Sequence, residues 1–359
     1  MSLLKNIKLV SIFTNREIPF FYYFLLISIL LSGCQSSVVL EPTTTTFSVA
    51  TEPPVVPTST MQPTVQIGLE ESPIIIGYIV SGNQTNIENL AETMINNLED
   101  KTSYEIRFEA FTNPQQAFDN LRQGEVHFIF IQPLTYLAAS ERDLIVPLLV
   151  SNHFGLYNYG TQFFTNIDSG FNTYFDEKTN KSTTTADFAL RQFEGMRPCW
   201  TEPSSLSGTI IPHGILAKNG VSFLPPAYLQ NPSATIRALY IKGVCDFGAT
   251  YSYSGDPRTS SQVINDLPDV MDRIMIIWQS DAIIPSLGLS ASVIVPPQVQ
   301  SDLKNAFLSL LSDENGKAIV SEALQYDIQG FLSIEDDYYD ALRELVKAAN
   351  INPYQHLGY

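Results

Sequence analysis

Residues 74–80 read Ile-Ile-Ile-Gly-Tyr-Ile-Val, an apolar run of strand length. A run this short, rich in β-branched side chains, reads as a strand buried on both faces. Thr85 opens the next element, and Glu88 three positions on completes a capping box. Ile87, Leu90, Ala91, Met94 and Leu98 then fall on one helical face. Tyr104, Ile106 and Phe108 alternate with Glu105, Arg107 and Glu109, the pattern of a half-buried strand. Asn113-Pro114 starts a second helix, with Ala117, Phe118 and Leu121 inward. Val126 to Ile131 is a second buried strand, and Pro133 to Ala139 begins another helix. Strands alternating with helices build a mostly parallel α/β sheet.

Beyond this unit the pattern breaks and then resumes. Residues 165–187 are polar and aperiodic, and read as an exposed excursion. A strand follows at Met196 to Thr201, then a helix around Ser207 to Lys218 and another from Pro232 to Lys242. Val244 to Thr250, Met275 to Trp278 and Ala291 to Val295 read as strands. Pro296-Pro297 leads into a helix with Leu303, Ala306, Phe307, Leu310 and Leu311 inward. Ser333 opens a last helix that uses Leu342, Leu345, Val346 and Ala349. The run Asp336-Asp337-Tyr338-Tyr339-Asp340 is its acidic first turn; it lacks the glycine and spacing of a calcium loop.

Residues 1–33 have the build of an export signal. Lys5, Lys8 and Arg16 precede an apolar stretch from Ile18 to Leu31, which ends in Leu31-Ser32-Gly33-Cys34. An apolar residue and two small residues before a Cys resemble the bacterial lipobox. That resemblance implies lipidation at Cys34 and anchoring to the outer side of a cell membrane. The alternative is an uncleaved N-terminal helix with an incidental Cys. Residues 34–66 are rich in Pro and Thr and hold few apolar side chains, so they read as an extended tether. The remaining segment, 67–359, is roughly 290 residues, enough for one large domain or two lobes.

The formal net charge is −17, and removing residues 1–33 takes away three positive charges and one negative, leaving about −19. Such acidity argues against nucleic acid as a partner and against broad adsorption to anionic lipid. An anionic ligand must therefore be held by local dipoles. Besides Cys34, the chain has Cys199 and Cys245. In an oxidising compartment they could form one disulfide, or they could be two small buried hydrophobes. The four His are scattered without ligand spacing, so neither a metal nor any other cofactor is expected.

The segment Cys199-Trp200-Thr201-Glu202-Pro203-Ser204-Ser205-Leu206-Ser207-Gly208-Thr209 follows a strand and opens a helix. Its hydroxyls and free first-turn amides, added to the helix dipole, suit an anion. The plainer reading is that Ser205 or Ser207 only caps the helix.

This segment resembles the D-P-x-S-x-S-G signature of the phosphate/phosphite/phosphonate-binding proteins that serve ABC importers, with Glu202-Pro203 in place of Asp-Pro. Leu190 to Gly195 is similar to that family's L-x-x-L-x-G lead-in. Ile236 to Ala249 is similar to its A-V-x-x-G-x-V-D-A-G-A run. Ser280, Ile284-Pro285, Gly288 and Val295-Pro296-Pro297 follow its return crossing. The resemblance covers roughly 73–345. It implies a two-lobed periplasmic-binding-protein fold of the second type, each lobe a mostly parallel sheet flanked by helices. Lobe one would be about 73–153 and 285–359, and lobe two about 160–278, with hinges near Asn152 to Tyr159 and Gln279 to Ile284.

The ligand would then sit between the lobes, at the carboxyl ends of strands. That placement nominates Tyr78, Gln132, Thr135, Tyr136, Ser205, Leu206 through its amide, Ser207, Gly208, Thr250 and Tyr251. Tyr78 and Tyr136 could equally be interface aromatics that pack the lobes. Where phosphonate binders carry a His in a G-S-H element, this chain has Asn231-Pro232-Ser233. A different oxyanion or a small organic solute therefore stays open.

The expected protein is a monomeric solute-binding lipoprotein that passes a small anionic ligand to an ABC permease. A sensor lipoprotein reporting to a membrane kinase or chemoreceptor is the alternative. An adhesive surface lipoprotein with a vestigial cleft is a further one. An exported hydrolase is disfavoured, because Ser205-Leu206-Ser207-Gly208 is not a G-x-S-x-G elbow and no His has an evident acid–base partner.

Overall fold

The computed structural model describes residues 66–80 and 86–358. The export signal, Cys34, most of the Pro/Thr-rich tether and Thr85 lie outside the described residues.

The chain begins with β1 (Ile74–Ile79), β2 (Ile106–Phe111), β3 (Phe128–Ile131) and β4 (Ile145–Asn152). β1 pairs parallel with both β2 and β3, as strand–helix alternation demands. The connecting helices are α1 (Ile87–Thr102), α2 (Pro114–Gln123) and α3 (Pro133–Ser140). Asn113 caps α2, its Oδ1 accepting from the Gln115 amide at 2.8 Å, and Ala117, Phe118 and Leu121 are buried beneath it. Asn86, at φ 62°, occupies the cap position of α1 with no side-chain hydrogen bond; the expected capping box rests on Thr85, which lies outside the described residues.

The chain then crosses to a second sheet, laying down β5 (Asn158–Asn166), the hairpin β6 (Phe175–Asp176) and β7 (Lys181–Ser182), β8 (Pro198–Trp200), β9 (Ala227–Tyr228), β10 (Phe247–Ser252) and β11 (Ile274–Gln279). The order is β11-β5-β10-β8-β9. β5 runs antiparallel to β10 and β11, while β8 runs parallel to β9 and β10. Cys199 on β8 and Cys245 beside β10 are disulfide-bonded, with Cα atoms 5.6 Å apart. The chain returns through β12 (Ile284–Pro285), paired with β5, and completes the first sheet with β13 (Gly288–Ser292) and β14 (Gly330–Ser333). That sheet is ordered β14-β4-β13-β3-β1-β2. The molecule is thus an α/β protein of two lobes, each a sheet flanked by helices, joined by antiparallel crossings.

Several expectations are corrected. Residues 165–187 do not begin as an exposed excursion, since Thr165 and Asn166 are buried at the end of β5. The rest is pinned to β11, with Ser182 Oγ donating to the Gln279 carbonyl and accepting from the Gln279 amide. The expected strand Ala291 to Val295 is β13, which ends at Ser292; Val293 and Ile294 turn outward. Ser333 ends β14 and caps no helix. The last long helix is Asp340–Ala348, reached through a 3₁₀ turn at Asp336–Tyr339.

An apolar cluster continuous across both lobes joins Ile211, Ile215 and Leu216 to Leu342, Leu345 and Val346. Helix Ile211–Lys218 of the second lobe therefore packs directly on helix Asp340–Ala348. Further on, His356 Nε2 lies 3.0 Å from the Pro203 carbonyl.

Candidate functional site

The 206–218 helix is assembled from a π-helical first turn, Leu206–Ile210, and the α-helix Ile211–Lys218. It rises from the carboxyl end of β8. Ser205 is its cap: Oγ accepts from the Gly208 amide at 3.1 Å. The wide first turn follows from an i→i−5 bond, the Ile210 amide donating to the Ser205 carbonyl at 3.0 Å. Gly208 permits the turn to press on β8, because a Cβ there would lie 2.1 Å from Thr201 Oγ1. Thr161 of β5, fully buried, locks the turn in place. Its Oγ1 donates to the Ser207 carbonyl at 2.6 Å and lies 3.1 Å from the Thr250 carbonyl.

Ser207 on that turn faces a cavity of about 370 Å³ lined from both lobes. Gln132, Ser286 and Tyr326 line it from the first-lobe side, and Ser207, Tyr251 and Ser254 from the second. His153, Phe154, Leu156, Tyr159 and Pro285, on the crossings, complete it. Gln132 stands at the end of β3, at the start of α3, so two helix N-termini approach this space from opposite lobes. Apart from Pro133, which has no N–H, and Gly208, whose amide is taken by Ser205 Oγ, their first-turn amides have no intrahelical acceptor, and the helix dipoles favour negative charge there.

Electrostatically the lining is close to neutral: it contains no Asp, Glu, Lys or Arg. Burial raises the pKa of Tyr159, aided by Tyr326. Burial likewise raises Tyr251, with Asp256 adding to it, and Tyr326. These phenols stay protonated at ordinary pH and act as neutral donors and acceptors. His153 Nδ1 lies 2.7 Å from the Asp327 carbonyl, and its ring stacks on Tyr326 with centroids 4.0 Å apart. Chemically the cavity offers hydroxyls, helix-end amides and aromatic faces, an arrangement suited to binding.

Of the residues nominated from sequence, the structure brings Gln132, Ser207 and Tyr251 together at this cavity. Ser205, Leu206 and Gly208 build the turn behind Ser207. Thr250 is buried beneath it, and Thr135 is buried in the first turn of α3. Tyr78 is buried in the first lobe against Phe108 and Phe130. Tyr136 is buried elsewhere, stacked on Tyr339 and donating its hydroxyl to Asp336 Oδ1 at 2.6 Å. The lining residues that sequence reasoning missed sit mostly on the crossings. A signal for His153, Phe154 and Tyr159 existed in the hinge placement; Tyr326, just past helix Glu314–Leu324, had none.

Residues 76–339 match the model of the family described as "ABC transporter, phosphonate, periplasmic substrate-binding protein". The phosphate-import protein PhnD of Mycolicibacterium smegmatis is 21% identical over 306 residues, covering 79% of this chain and 88% of that protein. Among solved structures, a Xanthomonas citri protein bound to chloride ion has a TM-score of 0.56 at 17% identity, covering 77% of this chain and 97% of that one. PhnD1 of Prochlorococcus marinus in complex with methylphosphonate has a TM-score of 0.51 at 15% identity, covering 77% of this chain and 98% of that one. At these identities the solved structures share the fold.

Proposed function

The chain belongs to the family of phosphonate-type periplasmic substrate-binding proteins of ABC transporters, and from that premise we propose that it is a non-catalytic receptor for a small oxyanionic solute held in the interlobe cavity. The observation that carries this reading is the convergence of two helix N-termini, at Gln132 and Ser207, on one space lined by hydroxyls and no carboxylate. In a chain this acidic, such dipoles supply what positive potential an anion can use. Lobe closure would turn on the crossings, near Asn152 to Tyr159 and Gln279 to Ile284. Transfer to a membrane permease follows from the family. Sensing by a membrane kinase or chemoreceptor would use the same closure.

Cellular placement rests on the N-terminal sequence. A lipid at Cys34 and the tether behind it would hold a monomer beside its permease. Converting Cys34 to Ser should shift the protein from the membrane fraction to the soluble one; an unchanged membrane fraction rules the anchor out.

The ligand reading is tested by thermal unfolding of the purified protein with phosphate, phosphite, phosphonates, sulfate and neutral metabolites. A ligand present at a hundredfold its dissociation constant adds about 2.7 kcal/mol of stability. Stabilisation by neutral compounds alone would refute the oxyanion reading. Within the site the two serines separate. Ser207→Ala should weaken binding with little change in the unliganded melting temperature. Ser205→Ala should lower unliganded stability by about 1 kcal/mol, as loss of a cap does. Unaltered binding in Ser207→Ala would remove Ser207 from the site.

A further inference from the structure

We propose that the ligand of this cleft carries a flat unsaturated ring beside its oxyanion, and that Phe154 determines specificity by contacting that ring. The inference builds on the oxyanion reading above and adds the other half of the molecule.

The first argument is space. Counting each heavy atom as roughly one water of 30 Å³, a five-atom anion such as methylphosphonate fills about 150 Å³. The cavity is about 370 Å³, so more than half would stay unfilled. A ring attached to the anion would occupy that volume, leaving less to be taken up by lobe closure.

The second argument is the chemistry of the remaining walls. Away from Gln132 and Ser207, aromatic side chains dominate: Phe154, Tyr159, Tyr251 and Tyr326, with the His153 ring between two of them. His153 stacks on Tyr326 at 15° between planes, and its centroid is 4.2 Å from that of Phe154. The three rings form a series that ends at Phe154, whose surface is 64% exposed. An apolar ring left open at the mouth of a cavity is a contact surface awaiting an occupant. No carboxylate lines the cavity to hold a positive group, so a flat ring is the better complement to these faces.

The third argument is backbone conformation. His153 and Leu156 close a two-residue turn, with His153 N donating to Leu156 O at 2.8 Å and Leu156 N to His153 O at 3.0 Å. Phe154 has φ 49° and Gly155 has φ 86°. Positive φ at both central positions is the geometry that favours Asn-Gly, and a bulky aromatic side chain is an outlier there. The turn is tied down from outside, the Phe154 amide lying 3.3 Å from Asp327 Oδ2. Folding would be easier with Asn at 154, and the strained choice at the mouth of a cleft points to use of the ring.

The experiment is calorimetric titration of the purified full-length protein with phenylphosphonate, cyclohexylphosphonate, methylphosphonate, 2-aminoethylphosphonate and inorganic phosphate, repeated on Phe154→Asn and Phe154→Tyr. Phenylphosphonate should bind at least about tenfold tighter than methylphosphonate and tighter than cyclohexylphosphonate. Phe154→Asn should abolish that preference and raise the unliganded melting temperature. Phe154→Tyr should keep the preference. Equal affinity for phenylphosphonate and methylphosphonate, or tightest binding of 2-aminoethylphosphonate, overturns the ring proposal and leaves the oxyanion reading standing. Binding of none of these anions, nor of phosphite or sulfate, overturns both.

Discussion

Gly214 packs against the backbone of Leu345: a Cβ added to Gly214 would lie 2.2 Å from the Leu345 carbonyl oxygen and 2.8 Å from its carbonyl carbon. The contact joins the second lobe's helix, Ile211–Lys218, to the first lobe's helix, Asp340–Ala348. Backbone atoms cannot rotate aside as a side-chain tip can. Gly214→Ala must therefore drive the two helices apart across a buried apolar seam. Overpacking of this kind destabilises by about 1–3 kcal/mol, while the better helix propensity of Ala returns up to about 1 kcal/mol. A net loss of stability in denaturant unfolding is expected. The same helix begins beside Ser207, so ligand affinity should fall as well, although Gly214 does not line the cavity. A variant as stable as the parent would show that the lobes part freely at this seam. The nearby pair Lys218–Glu344, at 2.8 Å but half-exposed, adds little to this interface.

Tyr136 makes the opposite prediction. It stacks on Tyr339 with centroids 3.9 Å apart and donates to Asp336, which also takes Arg343 Nη2 at 2.9 Å. Burial, and then the bond to Asp336, raise its pKa strongly, so the phenol remains the donor at ordinary pH. Tyr136→Phe removes a hydrogen bond to a charged acceptor. Because Asp336 is largely exposed and regains water, the expected loss is about 1 kcal/mol, that of an ordinary hydrogen bond and below the range for buried bonds to charged groups. Ligand affinity should not change. Weaker binding with undiminished thermal stability would return Tyr136 to the ligand site.

The fate of Tyr136 shows where the sequence was legible. Local patterns in the first lobe, from Ile74 to the start of α3, carried enough periodicity and cap chemistry to give the parallel strands β1, β2 and β3, but not the antiparallel half of that sheet. The 199–209 segment carried its turn chemistry in order, and Ser207 does reach the cavity. The antiparallel strands β4 and β5 escaped because their partners, β13, β14, β10 and β11, lie more than eighty residues away in sequence. Pairing at that distance leaves no local period to read. Tyr78 and Tyr136 end or follow strands, as ligand residues do, yet their rings turn into the core. For Tyr136 on α3 the orientation is set by which face the helix turns to the core, and nearly every residue of that short helix is buried. For Tyr78 on β1 the pleat decides the orientation, and register with neighbouring strands decides the pleat. Tyr326 was invisible for the same reason: only the return of β14 beside β4 brings that region near the cleft.

The absence of Lys and Arg from the cavity lining also shapes how binding should respond to conditions. Charge held by amide dipoles and hydroxyls gives no ion pair for salt to screen within the site. The overall negative charge still repels an incoming anion at long range, and salt weakens that repulsion. Binding that depends on dipoles therefore places the burden on the fold that aims them, and the fold has a pH limit.

That limit is expected from His127. Its Nδ1 accepts the Ile75 amide at 3.0 Å, so this nitrogen carries no proton in the folded protein. Burial lowers its pKa from the ordinary 6.5, and burial does the same for His213. In the unfolded chain both protonate near the ordinary value, so below it the unfolded state binds more protons than the folded one. Stability then rises with pH through this range. The contribution of the neutral imidazoles is complete above about pH 7 and is lost as pH falls from about 6.5 toward the depressed folded value. Each group adds a slope of at most about 1.4 kcal/mol per pH unit. Denaturant unfolding between pH 7.5 and 5.5 should show this decline, above the range in which carboxylates begin to titrate. His127→Gln keeps an acceptor near the Ile75 amide without a titrating ring, and should flatten the curve by up to one proton. An equal slope in the variant would assign the decline to other groups.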